Sequence, residues 1–568
     1  MSELNTFLVS DSRYSDVTDK LAVAVKDGPA SVIPQKYKHN SNSQSTTLYN
    51  VNVPSENTLI DRNFKIQGAL SCYYETTVAL TDVEFSFKVV PAAFPLNQAL
   101  QSASLTINNS KVSVQSTDIV NILTKQFHQK FLSKHEQMTP NFVDKYYAKA
   151  EDAVTGDATS SYMAGVEFAE KDSDTVGRAD ANFSVTVTLD DVAQTATNGL
   201  YTIPTASSGT LRVACTINLS ESILGLPTLE LKEEEAGYLS INSLELVLQW
   251  NDMRNCFNIS GSRVWKSYAG DTTNSLVLDD SSYLNLRYMS LHASQYAKLN
   301  SKNILPYDEY VAYKRNITGS DSGATEQTDV ISMRQIPEKI IMVVRPQYKE
   351  MKPQFSNNLC YPISTLNITF NNVAGLLSSY DQRDLYVMSR RNGSQQTWNE
   401  FRGIVKNKDG EELASLGSII VIDPVRDLGL SDFLSSGSLG QFSFQATVTY
   451  ANILNHVHGS SSTNADGWEA LEIATICNYA GILISDKGSS STMSGLLTKQ
   501  SVLEAKSSGK SVIDYEQVQQ MTGGNAYKNG LTSLGSLYSK YNPKAMKGKV
   551  DSVNAQVDSI QSKLSKYL

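Results

Sequence analysis

Apolar and polar side chains alternate with a period of two in many short stretches of the chain. In one of them, single polar or small residues separate Leu211, Val213, Cys215, Ile217 and Leu219. Because successive side chains of a β-strand point to opposite faces of the sheet, this alternation predicts strands with one buried face. The pattern recurs at Val83–Val89, Phe183–Leu189, Leu244–Trp250, Leu366–Phe370 and Phe442–Tyr450. The intervening residues are mostly Ser, Thr, Asn and Gln, so we expect an all-β protein built from sandwiches.

Helical periodicity is rare in this sequence. Asp118 is a good N-cap residue, and an apolar stripe with three- and four-residue spacing follows it. The stripe comprises Ile119, Ile122, Leu123, Phe127 and Phe131. The pattern predicts one amphipathic helix after Asp118. Long polar segments separate the strands, notably Glu151–Ala181, Thr318–Thr328 and Gly459–Asp466, and loops of this length are typical of surface elaborations on a rigid scaffold.

A short motif occurs twice, 263 residues apart. Ser104-Leu-Thr-Ile-Asn-Asn109 is echoed by Asn367-Ile-Thr-Phe-Asn-Asn372, and an aspartate with helical character after it follows each copy. These aspartates are Asp118 and Asp381. The spacing is close to half the chain length. The repeat therefore predicts two related β-domains in tandem.

Composition and charge exclude several classes of protein. The chain has 568 residues, a formal net charge of −9 and 19% charged residues, below the roughly 25% usual for soluble domains. Overall acidity argues against a dedicated nucleic-acid-binding protein, and 40% hydrophobic residues argue against disorder. No stretch reaches the roughly 18–20 apolar residues of a membrane span, and Met1–Lys20 lacks the pattern of a signal peptide.

The five cysteines are scattered, and none of their spacings fits a zinc knuckle or a redox pair. They are Cys72, Cys215, Cys256, Cys360 and Cys477. This pattern favours a reducing compartment, with most of the thiols in the core.

The two ends of the chain differ from its middle. We expect an N-terminal arm over 1–44, a first β-domain over 45–250, a second over 251–486 and a basic tail over 487–568. Residues 521–568 contain seven Lys, two Asp and no Glu or Arg, so they carry +5 and leave −14 on the rest.

The tail ends in an apolar seam with the alternating spacing of a coiled coil. Its members are Val550, Val553, Val557, Ile560, Leu564 and Tyr567. The seam predicts a helix that pairs with another helix, although packing on its own β-domain is the alternative. The basic residues that we expect on an inner face are Lys540, Lys544, Lys547 and Lys549.

Several motifs resemble catalytic or metal-binding sites but lack an essential residue. Ala505–Ser511 ends like a phosphate-binding loop, yet Glu504 stands where that loop needs glycine. His135-Glu-Gln-Met-Thr139 begins like a zinc-protease helix, but Thr139 replaces the second histidine. His456 with His458, Glu233–Glu235 and Asp172 with Asp174 lack the further ligands of a metal site. We therefore expect no catalytic residues, no metal and no cofactor, although carboxylates distant in sequence could still pair.

Three segments resemble the major capsid proteins of polinton-like viruses and virophages. Tyr49–Arg62, a short strand, a Pro-Ser-Glu-Asn turn and Ile-Asp-Arg, is similar to the opening of their first jelly roll. Ile422–Leu430 and the Gly440–Gln445 strand look like the closing part of their second jelly roll. Between them, the Leu105 strand and the Ile119 helix resemble the strand–helix step inside each roll. The similarity covers roughly residues 45 to 485.

This resemblance implies two tandem eight-stranded jelly rolls, a double jelly roll of the lineage that includes adenovirus hexon. It also implies a homotrimer that forms a pseudo-hexameric capsomer. Such capsomers contact one another, penton proteins and minor capsid proteins in an icosahedral shell around double-stranded DNA. The expected location is the virion, assembled inside the host cell without export through a signal peptide.

Two other functions are compatible with tandem sandwiches and long loops. A glycan-binding or adhesive protein would bind carbohydrate without forming shells, but such proteins are usually exported. A jelly-roll enzyme acting on glycans or peptides would need carboxylates or a metal that converge in one cleft.

Overall fold

Hydrogen-bonded strands build two β-sandwiches in succession in this computed structural model. The structure describes residues 6–10, 22–26, 31–54, 58–79, 85–138, 183–195, 201–203, 208–227, 237–253, 255–260, 273–290, 302–319, 323–348, 360–406, 412–414, 416–430, 436–451, 470–486 and 488–494. Both sandwiches belong to one compact unit, Met1–Leu496, whereas the second unit, Leu497–Leu568, lies outside the described residues.

The first domain contains two large sheets. In chain order, the strands up to its end are β1 (Thr6–Ser10), β2 (Ala22–Lys26), β3 (Ser31–Lys38), β4 (Ser41–Asn42), β5 (Thr46–Asn52), β6 (Leu59–Ile60), β7 (Lys65–Ala79), β8 (Phe85–Pro91), β9 (Leu100–Ile107), β10 (Ser110–Val114), β11 (Phe183–Leu189), β12 (Val192–Gln194), β13 (Tyr201–Ile203), β14 (Ser208–Glu221), β15 (Ser243–Trp250), β16 (Phe257–Ser260), β17 (Thr273–Leu278) and β18 (Tyr283–Ser290). Sheet 1A has the order β12–β11–β14–β7–β18–β3, and sheet 1B has the order β10–β9–β15–β5–β4. In addition, β17 pairs with β7, β6 pairs with β18, β1 pairs with β2, and β13–β8–β16 form a small sheet.

The second domain has the same plan with fewer additions. Its strands are β19 (Lys302–Thr318), β20 (Ala324–Gln327), β21 (Ile331–Gln335), β22 (Lys339–Pro346), β23 (Ile363–Phe370), β24 (Val373–Leu376), β25 (Ile404–Lys406), β26 (Glu412–Ala414), β27 (Ile420–Ile422), β28 (Leu439–Tyr450), β29 (Ala470–Asp486) and β30 (Ser489–Ser494). Sheet 2A has the order β19–β29–β22–β27, with β30 on β29. Sheet 2B has the order β20–β28–β23–β24, with β21 also on β28, and β25 pairs with β26.

Strand order identifies each domain as a jelly roll. With the main strands of each domain numbered one to eight along the chain, both A sheets have the order one–eight–three–six. Both B sheets have the order two–seven–four–five. The expected all-β fold of two tandem eight-stranded jelly rolls is therefore confirmed. The additions to the first roll are β1, β2, β4, β6, β8, β11, β12, β13, β16 and β17.

The alternating segments form strands whose apolar side chains face a core. In β14, Leu211, Val213, Cys215, Ile217 and Leu219 are all buried, whereas their neighbours are more exposed. Burying each such large apolar side chain stabilises the fold by about 1.5–3 kcal/mol. The alternation in β28 has the same effect in the second domain, where every second residue from Phe442 to Tyr450 is buried.

Helices are short and few among the described residues. They are α1 (Pro95–Ala99), α2 (Ser116–Gln126), α3 (Gln129–His135), α4 (Gln382–Arg391), α5 (Trp398–Phe401) and α6 (Pro424–Asp427). The single helix expected from Asp118 to Phe131 is wrong in two respects. Asp118 lies inside the first turn of α2 rather than at its N-cap, and the chain becomes extended at Phe127 before α3 begins. Asp381, in contrast, caps α4 by accepting a hydrogen bond from the Asp384 amide.

The repeated Asn-Asn motif forms a two-residue hairpin turn at the same place in both domains. Asn108 begins the two-residue turn between β9 and β10, and Asn371 begins the two-residue turn between β23 and β24, with positive φ angles of 51° and 47°. The Asn108 amide donates to the Ser243 carbonyl at 2.9 Å, and Asn371 donates to Ser443 at 2.9 Å. Each asparagine Oδ1 also accepts from a backbone amide, at 2.8 Å from Asn242 and from Ser443 respectively. The internal repeat is thus a structural one.

Strand pairing moves two of the expected domain boundaries. β3 lies in the segment expected to be an arm, yet it forms the edge of sheet 1A by pairing with β18. β17 and β18 lie beyond residue 250, yet they pair with β7 in the same sheet. The first roll therefore includes Ser31–Lys38 and extends to Ser290, because its first and last strands are neighbours in space although they are far apart in sequence.

Candidate functional site at the junction of the two domains

Sheet 2A is buried on both faces. Along β22, Ile340, Met342 and Val344 belong to the core of the second domain, whereas Ile341 and Val343 belong to a cluster shared with the first domain. β29 repeats this division, since Ile473 and Cys477 face the second core and Ala474 and Ile476 face the first domain. One sheet is therefore the inner wall of one roll and the docking face for the other.

An ionic cluster lies at the edge of this apolar junction. Asp118, at the start of α2, accepts a hydrogen bond from Lys314 Nζ at 2.6 Å and lies 3.5 Å from Arg345 Nη2. Arg345 also donates to the Asp118 carbonyl at 2.8 Å and to Glu472 Oε1 at 2.8 Å. Arg345 and Glu472 are buried. The cluster joins one helix of the first domain to β19, β22 and β29 of the second.

A second polar contact involves Arg62. This residue ends the Tyr49–Arg62 segment that resembles the opening of the capsid proteins' first jelly roll. Its side chain is 1% exposed and donates to the carbonyls of Pro227 and Pro306, at 3.0 Å each from Nη2. Pro306 belongs to β19, so Arg62 connects the two domains at their link. A cavity of about 10 Å³ beside it has room for about one water molecule.

Serine and asparagine side chains complete the junction along the end of β29 and along β30. The Ser490 amide donates to Asn109 Oδ1 at 2.8 Å, and Ser490 Oγ accepts from the Ser110 amide at 3.1 Å. Ser485 Oγ donates to the Leu239 carbonyl at 2.7 Å. Apolar packing, ion pairs and these hydrogen bonds together hold the two rolls in one arrangement.

Two buried carboxylates, which sequence reasoning did not identify, lie in the first domain. Glu221 and Glu136 are both 0% exposed and pair through their backbones. Burial and the nearby Glu136 raise the pKa of Glu221 well above its ordinary value. Glu221 accepts from the Leu96 and Asn97 amides at 2.9 Å each, so it stabilises the start of α1. Its partners are these two backbone amides and the Asn97 side-chain amide, all inside the fold, and this arrangement is typical of a structural carboxylate.

His135 and Lys65 belong to the same region. Burial, with the charges of Lys65 and Lys134, lowers the pKa of His135 to about 3. Burial and Arg287 lower the pKa of Lys65 to about 8, and Lys65 Nζ donates to the Lys134 carbonyl at 2.9 Å. His135, the histidine of the incomplete zinc motif, therefore packs as a neutral ring 4.4 Å from the ring of Phe131.

The residues singled out in the sequence divide into two groups. All five cysteines are buried free thiols. The seam residues and the four lysines of the tail lie outside the described residues, as do His456, His458, Glu233–Glu235, Asp172 and Asp174.

In the described part of the chain, no three His, Cys, Asp or Glu side chains are placed to hold a metal ion. None of the described helices is long and apolar enough to span a membrane.

Comparison with known proteins accounts for both domains. Residues 2–289 match the family described as Sputnik virophage major capsid protein 1st domain. Residues 307–481 match the major capsid protein V20 C-terminal domain. The putative capsid protein V20 of Sputnik virophage is 23% identical over 95% of this chain and 88% of its own length.

Solved structures of similar proteins have the same fold. The cryo-EM structure of Sputnik virophage contains a chain with a TM-score of 0.66 and 20% identity, covering 92% of this chain and 100% of that one. The mavirus major capsid protein has a TM-score of 0.63 and 14% identity, covering 88% of this chain and 98% of that one. Since one family match alone spans more than half of the sequence, the chain belongs to the Sputnik virophage major capsid protein family.

Proposed function

We propose that this capsid protein assembles as a homotrimer in which six jelly rolls form a pseudo-hexameric capsomer. The observation that carries the proposal is the pair of rolls with one topology, joined by a junction that is apolar, ionic and hydrogen-bonded. A rigid pair of similar units gives a trimer six similar faces. Head-to-tail contacts between such units close into a ring when the rotation permits it.

The trimers then tile an icosahedral shell around double-stranded DNA, with penton and minor capsid proteins at special positions. The role is structural and not enzymatic, and the place of function is the virion after assembly inside the host cell. Each trimer contact is expected to bury on the order of 2,000 Å² or more, as obligate interfaces do.

Size-exclusion chromatography with light scattering tests the oligomeric state. We expect a stable particle of three times 62.3 kDa, and negative-stain images should show hexagonal outlines. A monomer at micromolar concentration would contradict the proposal, and specific binding to a glycan array would favour the adhesive alternative.

We also propose that the basic tail acts on the inner face of the shell. The charge of +5 over residues 521–568 supports this role, since Lys540, Lys544, Lys547 and Lys549 would be attracted to phosphate-rich DNA or an acidic minor protein. The seam from Val550 to Tyr567 would pair with a helix of a neighbouring subunit or a minor protein.

Replacing the four lysines by glutamine tests the charge, and replacing them by arginine is the matched control. We expect the glutamine variant to assemble shells with less packaged DNA, whereas the arginine variant packages normally. Deleting residues 541–568 removes the seam together with Lys544, Lys547 and Lys549, and it should reduce assembly as well as packaging. Normal assembly and packaging after the deletion would contradict the tail proposal.

A further inference from the structure

Helices α2 and α4 hold equivalent places in the two rolls but have different surroundings. Each follows the fifth strand of its roll, and the third residue of each is an aspartate, Asp118 in α2 and Asp384 in α4. Asp118 is 8% exposed because it contacts sheet 2A. Asp384 is exposed. The two aspartates differ in exposure because sheet 2A packs beside α2 in the same molecule.

The side of the second roll that carries α4 and β24 bears apolar residues as well as charge. Val387 on α4 is 57% exposed and Val373 on β24 is 58% exposed, and both are among the most exposed large apolar residues of the described part of the chain. An exposed apolar patch with a polar rim is typical of an interaction surface. We call this side the α4 face.

The first roll has an outer surface equivalent to the one that α2 contacts. That surface is the outer face of sheet 1A, where Ala214 of β14 is exposed and Thr216 is half-buried. In the second roll, the lysine that pairs with Asp118 is on strand one, as Lys314. Strand one of the first roll is β3, which carries the exposed Lys36 and Lys38.

We propose that the α4 face docks on the outer face of sheet 1A of a second copy of this chain, with Asp384 facing Lys36 and Lys38. The contact repeats between molecules the one that α2 makes with sheet 2A inside the molecule. Because the two faces differ, the contact is head-to-tail and closes into a ring of three. This inference rests on the proposed trimer and assigns its interface.

Charge reversal on each face tests the assignment. Asp384→Lys would place three cations together, and the pair Lys36→Glu with Lys38→Glu would place three anions together. Each change should raise the trimer dissociation constant on the order of 100-fold, since like charges at an interface cost several kcal/mol. The chain that carries all three substitutions restores opposite charges and should recover the trimer.

Two controls separate the interface from the fold. Val387→Arg should weaken the trimer. Val330→Arg should not, since Val330 is 61% exposed and lies between β20 and β21, at the edge of sheet 2B opposite β24. Circular dichroism checks that each variant is folded. If the wild type is a trimer and the charge reversals leave its dissociation constant unchanged, the proposed interface is wrong but the proposed function stands. The same holds if the triple variant stays dissociated. A wild-type monomer would overturn both.

Discussion

Asp118 shows how the environment of one residue decides its contribution. Its carboxylate contacts Lys314 and Arg345, and Arg345 also pairs with the buried Glu472. Removing one charge from such a cluster leaves the opposite charges desolvated and incompletely paired, and this costs more than the pair contributes when it is intact. The residue is therefore more important for holding two domains together than a surface aspartate in the same type of helix.

We predict that Asp118→Asn lowers the free energy of unfolding by about 2 kcal/mol. Asp384→Asn is the matched control for the junction inside one chain, since Asp384 is exposed there at the equivalent position of α4 and belongs to the capping box. Its cost should stay below about 1 kcal/mol. Urea unfolding of both variants measures the difference, and equal losses would contradict an ionic role at the junction.

His135 makes the first domain sensitive to acid. Its pKa in the folded protein is about 3, below the value of 6.5 for a free histidine, because the ring is buried near Lys65 and Lys134. The unfolded chain therefore binds a proton first, and stability is lost as pH falls from 6.5 toward 3. By pH 4.5 the loss from this residue reaches about 3 kcal/mol.

Replacing His135 by leucine should remove that part of the pH dependence. We expect the free energy of unfolding of His135→Leu to decrease less between pH 6.5 and 4.5 than that of the wild type. His128→Leu is the control for a change from histidine to leucine at an exposed site of the same region. Parallel pH profiles for wild type and His135→Leu would show that the ring is accessible to protons in the folded state.

At the scale of elements, alternation in sequence predicted the strands that have one buried and one exposed face. β14, β15, β23 and β28 follow it closely. The sequence of β22 does not alternate, and Ile340–Val344 is apolar throughout. The reason is that sheet 2A is buried on both faces. The helix after Asp118 was predicted too long because Phe127 and Phe131 also pack on the core, although the chain between them is not one helix.

The Asn-Asn hairpins permit a prediction about one turn. Asn371 has a φ of 47°, and its Oδ1 accepts a hydrogen bond from Ser443. Asn371→Ala loses the bond and strains the backbone, so we expect a loss of about 2 kcal/mol. Asn371→Gly loses the bond but tolerates the positive φ, so about 1 kcal/mol is expected. Thermal unfolding measures which of the two variants is less stable. An alanine variant as stable as the glycine variant would contradict the prediction.

At the scale of the molecule, the junction packs two similar rolls into one compact unit. The sequence indicated two domains through their repeat, but it placed their boundary near residue 250. The first and last strands of a jelly roll are neighbours, so the end of a roll is defined by pairing over a long sequence distance. The ionic contacts of the junction were missed for a similar reason: Asp118, Arg345 and Glu472 come from three separate segments, and Asp118 was expected only as a helix cap.

Two isoleucines of β29 test whether the junction couples the unfolding of the two rolls. Ile473 and Ile476 are each 1% exposed, but Ile473 faces the core of the second roll and Ile476 faces the cluster shared with the first. Either change to alanine should cost about 2–5 kcal/mol. Ile473→Ala should lower the stability of the whole unit, whereas Ile476→Ala should also weaken the link between the rolls. Calorimetry at one protein concentration should then give a single transition for Ile473→Ala and two for Ile476→Ala. Two transitions in both variants, or one in both, would mean that the apolar face of sheet 2A does not control the coupling.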